Sequence, residues 1–174
     1  MNKNHLVLIF ITIILLSLIL FNFNKPDKME IKSSAFSNKD NIPSKYTCDG
    51  ENISPPLDIT GIPKDTKSLV LIVDDPDAPT KVWVHWVVWN ILTDSLSILE
   101  DTAPIRAVQG VNDFGNNNYG GPCPPSGNHR YMFKLYALDA FLEIPETSEK
   151  QDVETAMEGH IIEKQVLQGN YAQA

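Results

Sequence analysis

The chain has 174 residues, 43% of them hydrophobic and 21% charged, with 9 Gly and 12 Pro. That is enough apolar material for one packed domain, and it excludes both a disordered chain and a miniprotein held together by disulfides alone. The formal charge is −8; twelve of the 14 Lys and Arg but all 22 Asp and Glu fall within residues 26–174, which carry −10. A surface this acidic excludes sequence-independent nucleic-acid binding and docking on anionic lipid through a basic patch, because both need clustered cations to neutralise phosphates.

The first element is an apolar run, Leu6 to Phe21 (LVLIFITIILLSLILF), whose only polar positions are Thr12 and Ser17. Lys3 precedes it, and the polar stretch Asn22 to Lys28 closes it. This is a signal peptide or a signal anchor. The run is short against the ~20 residues of a spanning helix. Bulky Leu, Ile and Phe stand between Ser17 and Asn24, where a small-x-small cleavage site would be needed. An uncleaved single-pass anchor with the domain facing outward is therefore expected; if the leader is cleaved, the protein is secreted or periplasmic. No Cys precedes Cys48, which excludes a lipoprotein. Residues 1–25 are assigned to this segment and residues 26–174 to one domain.

The two cysteines, Cys48 in YTCDG and Cys123 in GGPCPPSG, both lie in Gly/Pro/Asp-rich loops. An even count in an exported domain permits one bridge. Two unpaired buried thiols are the other reading.

Along the domain, Ile31 to Ser34, Lys67 to Asp74, Val82 to Ile91 and Tyr131 to Leu138 are rich in β-branched or aromatic residues and predict strands. In KSLVLIVD and VWVHWVVWNI both faces are apolar, so each strand is expected to be covered on two sides. Prolines crowd the segments between them and stop the strands. Late in the chain, Ser148 and Gln151 predict a capping box, and Val153, Ala156, Met157 and Ile161 form one stripe of a helix expected to end near Gly169. The pattern predicts a mainly β, antiparallel fold with a C-terminal helix.

Polar residues that stand out from this apolar frame concentrate in two windows. In DDPDAPTKVWVHW, residues 74–86, carboxylates end a buried strand and His85 then sits inside the most apolar strand, where alternation places it on one face with Trp83, Val87 and Trp89. A core histidine satisfied by a backbone hydrogen bond is the competing reading. In GGPCPPSGNHRYMF, residues 120–133, a stiff Gly/Pro loop runs into His129, Arg130 and Tyr131. Two imidazoles, the Tyr131 hydroxyl and loop N–H groups can all donate to phosphate or carboxylate oxygens, which points to a small anion. Asp75 and Asp77 are expected to orient the imidazoles and raise their pKa.

The DDPDAP of residues 74–79, the His85-Trp86 pair, and GPCPPSGNHRYMFKLYAL across residues 121–138 resemble the phosphatidylethanolamine-binding protein family. The YTCDGENISPPL of residues 46–57 is similar to its bacterial and archaeal Raf kinase inhibitor-like (YbhB/YbcL) branch. The resemblance covers residues 30–172. It implies a β-sandwich with a small surface pocket for anionic head groups such as phosphorylethanolamine, with pocket residues at Asp75, Asp77, His85, Gly121, Pro122, His129 and Tyr131. Trp86 and Pro125 are added here as walls. The basic surface by which eukaryotic relatives engage kinases is not recognisable in this acidic chain.

A binding module for a small anionic or phosphorylated ligand is the first functional expectation. A protease- or kinase-inhibitor-like protein acting on a protein partner is the alternative, with Asn112 to Tyr119 (NDFGNNNY) as its candidate loop. An enzyme is the least favoured reading: Ser126 lacks a nucleophile-elbow context. Asp75, Asp77, His85 and His129 lack close metal-ligand spacing, and neither metal nor cofactor is expected. Membrane contact is expected through the N-terminal segment only.

Overall fold

The computed structural model describes residues 28–173. The leader, residues 1–25, and the readings made of it lie outside them. No helix among the described residues is long and apolar enough to cross a membrane.

Eight strands form two antiparallel sheets. The smaller comprises β1 (Glu30–Lys32), β2 (Leu57–Thr60) and β5 (Ser97–Ile98), in the order β1-β2-β5. The larger comprises β3 (Ser68–Asp75), β4 (Trp83–Ile91), β6 (Val108–Gln109), β7 (His129–Leu138) and β8 (Ile161–Tyr171), in the order β6-β4-β3-β7-β8. One short helix, α1 (Lys150–Ala156), covers the outer face of the larger sheet.

Two cores follow from this layering. Ile31, Leu57, Ile59 and Ile98 of the small sheet pack against Leu69, Leu71, Val73, Phe133 and Leu135 of the large one. On the other face, Val70, Ile72, Val87 and Trp89 pack against Leu142, Val153 and Met157 under α1. Strands β3 and β4 are thus covered on both sides, as their two-faced apolar runs require.

Two sequence expectations need correction. The helix does not run to Gly169. Its N-cap is Glu149, reciprocally bonded with Asp152, and its last residue is Ala156. Gly159 then adopts φ +81°, a left-handed conformation that reverses the chain. The β-branched pair Ile161-Ile162 opens an eleven-residue strand along β7 instead. The apolar stripe is real for Val153 and Met157, which are buried, whereas Ile161 is exposed.

The second correction concerns β4. Trp86 faces Val73 while Val84 faces Asp74, so His85 is an extra residue in the ladder. This β-bulge breaks the alternation and re-aims the side chain. His85 joins Trp83, whereas Val87 and Trp89 turn towards α1.

Candidate functional site

The strand ends β3, β4 and β7 converge at one end of the sandwich around a cavity of about 340 Å³. Asp75 closes β3, Trp83 and the bulged His85 come from β4, and Tyr131 comes from β7. The turn Ala78-Pro79-Thr80 forms one rim; Cys123 and Pro125 form another, and Phe114 leans in from the loop after β6.

Its polar groups are mostly spoken for. Asp75 is 3% exposed. One of its carboxylate oxygens accepts the Asp77 N–H at 2.8 Å, and the other accepts from His129 Nδ1 at 2.7 Å. His85 Nδ1 lies 2.6 Å from the Gly120 carbonyl, which can only accept, so Nδ1 carries the proton. Burial pushes the His85 pKa below its ordinary 6.5, more than the Gly120 hydrogen bond raises it. The neutral ring therefore offers Nε2 as an acceptor. This reverses the expectation that neighbouring carboxylates raise its pKa. The ring stands edge-on to Tyr131 at 5.2 Å and to Phe114 at 5.5 Å.

The Tyr131 hydroxyl is buried and makes no hydrogen bond of ordinary geometry among the described residues, although the Cys123 backbone and the Asp75 carboxylate lie close to it. Burial, and then the charge of Asp75, raise its pKa, so it stays a protonated donor. A buried hydroxyl with no partner costs about 1–3 kcal/mol. That cost is offset when a ligand acceptor arrives.

The structure brings together Asp75, His85, Pro125 and Tyr131 at the cavity, with His129 directly behind Asp75. It places the other expected residues elsewhere. Asp77 turns outward and grips Arg130 at 2.6 and 2.8 Å, and the guanidinium holds its carboxyl down at about 2. Trp86 is buried, donates to Gln109 at 2.7 Å and packs edge-on against Tyr119, outside the cavity. Gly121 and Pro122 act from behind. Gly121 N–H donates to Asn52 Oδ1 at 2.8 Å, and a Cβ on Gly121 would sit 2.7 Å from the Tyr46 carbonyl, so only glycine fits. Pro122 O accepts the Cys48 N–H. Cys48 and Cys123 form the bridge, both exposed, and it fastens the rim loop to the segment after Tyr46.

Sequence reasoning missed Trp83, Phe114 and the Ala78-Pro79-Thr80 turn as walls. A lone aromatic in the polar NDFGNNNY loop was the available signal for Phe114. That loop is internally tied: the Asn112 side chain accepts from Phe114 and Asn116 N–H and donates to Asn118 O and His85 O. Among the described residues, no group of three or more His, Cys, Asp or Glu is placed to hold a metal ion.

Comparison with known proteins identifies the family and the fold. The family model described as phosphatidylethanolamine-binding protein matches residues 32–172. A UPF0098 protein of Methanothermobacter thermautotrophicus is 53% identical over 148 residues, 82% of this chain and 98% of its own length. The crystal structure of CT736 of Chlamydia trachomatis, a homologue of the same family, superposes with a TM-score of 0.81 at 43% identity, covering 84% of this chain and 99% of that one. Escherichia coli YbcL, described as a member of the mammalian family, gives a TM-score of 0.80 at 31% identity, over 85% and 100% of the two chains. On its sequence, its two-sheet architecture and these matches, the chain belongs to the phosphatidylethanolamine-binding protein family.

Proposed function

We propose that the protein is an extracytoplasmic binding protein that captures a small phosphorylated ligand, or a head group of that chemistry, in the cavity around Tyr131 and His85. The observation that carries this reading is the buried Tyr131 hydroxyl, without a hydrogen bond of ordinary geometry, on a ring that packs edge-on against the neutral His85 ring in the wall of one small cavity.

No Lys or Arg lines the cavity, and Asp75 stands at its base. A fully ionised phosphate therefore fits poorly. A monoprotonated phosphate ester fits better: its P–OH donates to His85 Nε2 while its other oxygens accept from Tyr131. The second ionisation of a phosphate ester lies near ~6. Binding should therefore weaken as pH rises through that value. The aromatic and proline walls of Trp83, Phe114, Pro79 and Pro125 suit the short organic part of the ligand.

Binding rather than catalysis is favoured because Cys123, the thiol nearest the site, is in a disulfide. The inhibitor-like alternative is not favoured by the Asn112–Tyr119 loop: residues 114–118 are exposed, but the Asn112 side chain pins the loop to the His85 carbonyl and to the Phe114 and Asn116 N–H groups. Isothermal calorimetry with phosphorylethanolamine and inorganic phosphate, on the native chain and on His85→Ala, tests the proposal. Heat that saturates with the native chain and vanishes with the variant is expected. Equal affinity in the two proteins would refute it.

A further inference from the structure

The two ends of the sandwich expose different chemistry. The cavity occupies the end where β3 finishes and β4 and β7 begin. At the opposite end β3 begins, and β4 and β7 finish, in the pairs Leu69–Ile91 and Ser68–Leu138. The ten residues of β7 separate the two ends by about 30 Å at ~3.3 Å per residue.

The chain enters the domain at that opposite end. Glu30, the first residue of β1, pairs with Thr60, the last residue of β2. The Ile59 N–H beside it donates to the Leu96 carbonyl, in the turn that leaves β4. At a strand spacing of ~4.8 Å, β1 and β5 are about 10 Å apart. Upstream, residues 22–27 can span at most ~20 Å, and beyond them lies the apolar run of residues 6–21.

Four large apolar side chains stand open at this end: Leu96 at 53%, Phe141 at 51%, Ile161 at 47% and Ile162 at 40% exposure. Leu99 and Ile105 continue up the flank along a groove of about 840 Å³. Lys28, Lys64, Lys67 and Lys164 lie in the segments that form this end, together with Glu30, Asp65, Asp94, Asp139 and Glu163.

We propose that this end docks on the lipid bilayer that holds residues 6–21, through Leu96, Phe141, Ile161 and Ile162, and keeps the cavity about 30 Å above the membrane surface. The cavity then takes phosphorylated molecules from solution and not the head groups of the bilayer beneath it. This rests on the leader being an anchor and on the cavity being a phosphate-ester site, and the test separates the three ideas.

The full chain is reconstituted in phosphatidylcholine vesicles carrying an acceptor-labelled lipid. A donor dye is attached at Ile161→Cys in one variant and at Ser126→Cys, on the cavity loop, in another; the native cysteines are bridged and do not react. Several-fold greater energy transfer from position 161 than from position 126 is expected. Combining Leu96→Asp, Phe141→Asp and Ile162→Asp with Ile161→Cys, all at exposed positions, should reduce that transfer while the chain still floats with the vesicles. Equal transfer from the two labels on floating protein overturns the docking and leaves the anchor standing. A chain that does not float overturns both.

The ligand source has its own readout. Soluble phosphorylethanolamine should bind vesicle-held protein with the same affinity whether the vesicles contain phosphatidylethanolamine or not. A several-fold loss on phosphatidylethanolamine vesicles would show competition from the bilayer and overturn the assignment to soluble ligands. No binding in either case, with the transfer gradient intact, sinks the cavity reading and supports the docking.

Discussion

The middles and the ends of β3, β4 and β7 are built from the same strands yet obey different rules. In the middle, Leu71, Val73, Phe133 and Leu135 pack in one apolar cluster with the small sheet. At the cavity end, Asp75, His85, His129 and Tyr131 sit within a few ångströms of one another, and all but the tyrosine hydroxyl find partners. The middle carries stability and the end carries recognition, because a packed core gains from every buried methylene whereas a binding site must keep some donors unspent.

Substitutions can break that division. Phe133→Ala removes a fully buried ring that packs on Phe36, and should cost about 4 kcal/mol in urea denaturation. Its folded fraction should bind ligand as the native chain does; a matching loss of affinity would show that the two regions are coupled. Cys48→Ser combined with Cys123→Ser opens a bridge of sequence separation 75 and should cost roughly 4 kcal/mol in the chain-entropy account. Here affinity should fall as well, because Cys123 is part of the cavity rim.

Acid sharpens the comparison, since the cavity end carries the buried histidine. The folded His85 pKa lies below 6.5, so the unfolded chain takes up that proton first as pH falls. Stability from this group is full above pH 6.5 and is lost below it, by up to about 1.4 kcal/mol per pH unit. Thermal melts of the native chain and of His85→Gln should diverge in that window, with the variant showing the shallower slope. Tyr131→Phe should cost no stability. Deleting a buried hydroxyl that lacks a good hydrogen bond should stabilise the chain by about 1 kcal/mol while lowering phosphate-ester affinity about tenfold. A stability loss of several kcal/mol with unchanged affinity would move Tyr131 from the site into the core.

Sequence patterning reached the centre of the fold and thinned towards its margins. The long apolar runs of β3, β4 and β7 were legible because composition alone marks a two-sided strand. β5 and β6 have two residues each, too few for any period to show. β8 reads as helix because the stripe from Val153 carries on to Ile161, and the left-handed Gly159 that breaks it leaves no mark in the periodicity. At the site, His85, His129, Asp75 and Tyr131 were found as residue types out of place in apolar strands. Trp86 and Asp77 lie off the cavity for different reasons. The bulge at His85 is invisible to alternation, and the pull of Arg130 on Asp77 depends on a turn whose direction the sequence does not reveal.

Asp74 and Asp75 sit consecutively on β3 and look to opposite faces, Asp74 to Lys134 and Lys150 at 2.6 Å each, Asp75 to His129. Ordinarily a strand's alignment is dictated by its apolar face, since slipping by one residue exposes that face to water. β3 has no such safeguard, because both of its faces are apolar and a slipped copy would bury nearly as much. The adjacent carboxylates supply the missing constraint: a one-residue slide that carries Asp75 beneath α1 to the two lysines drives Asp74 into the apolar slot of Val73 and leaves His129 without its partner. The pair works as a two-sided key, admitting one alignment of the central strand and thereby fixing where the cavity forms.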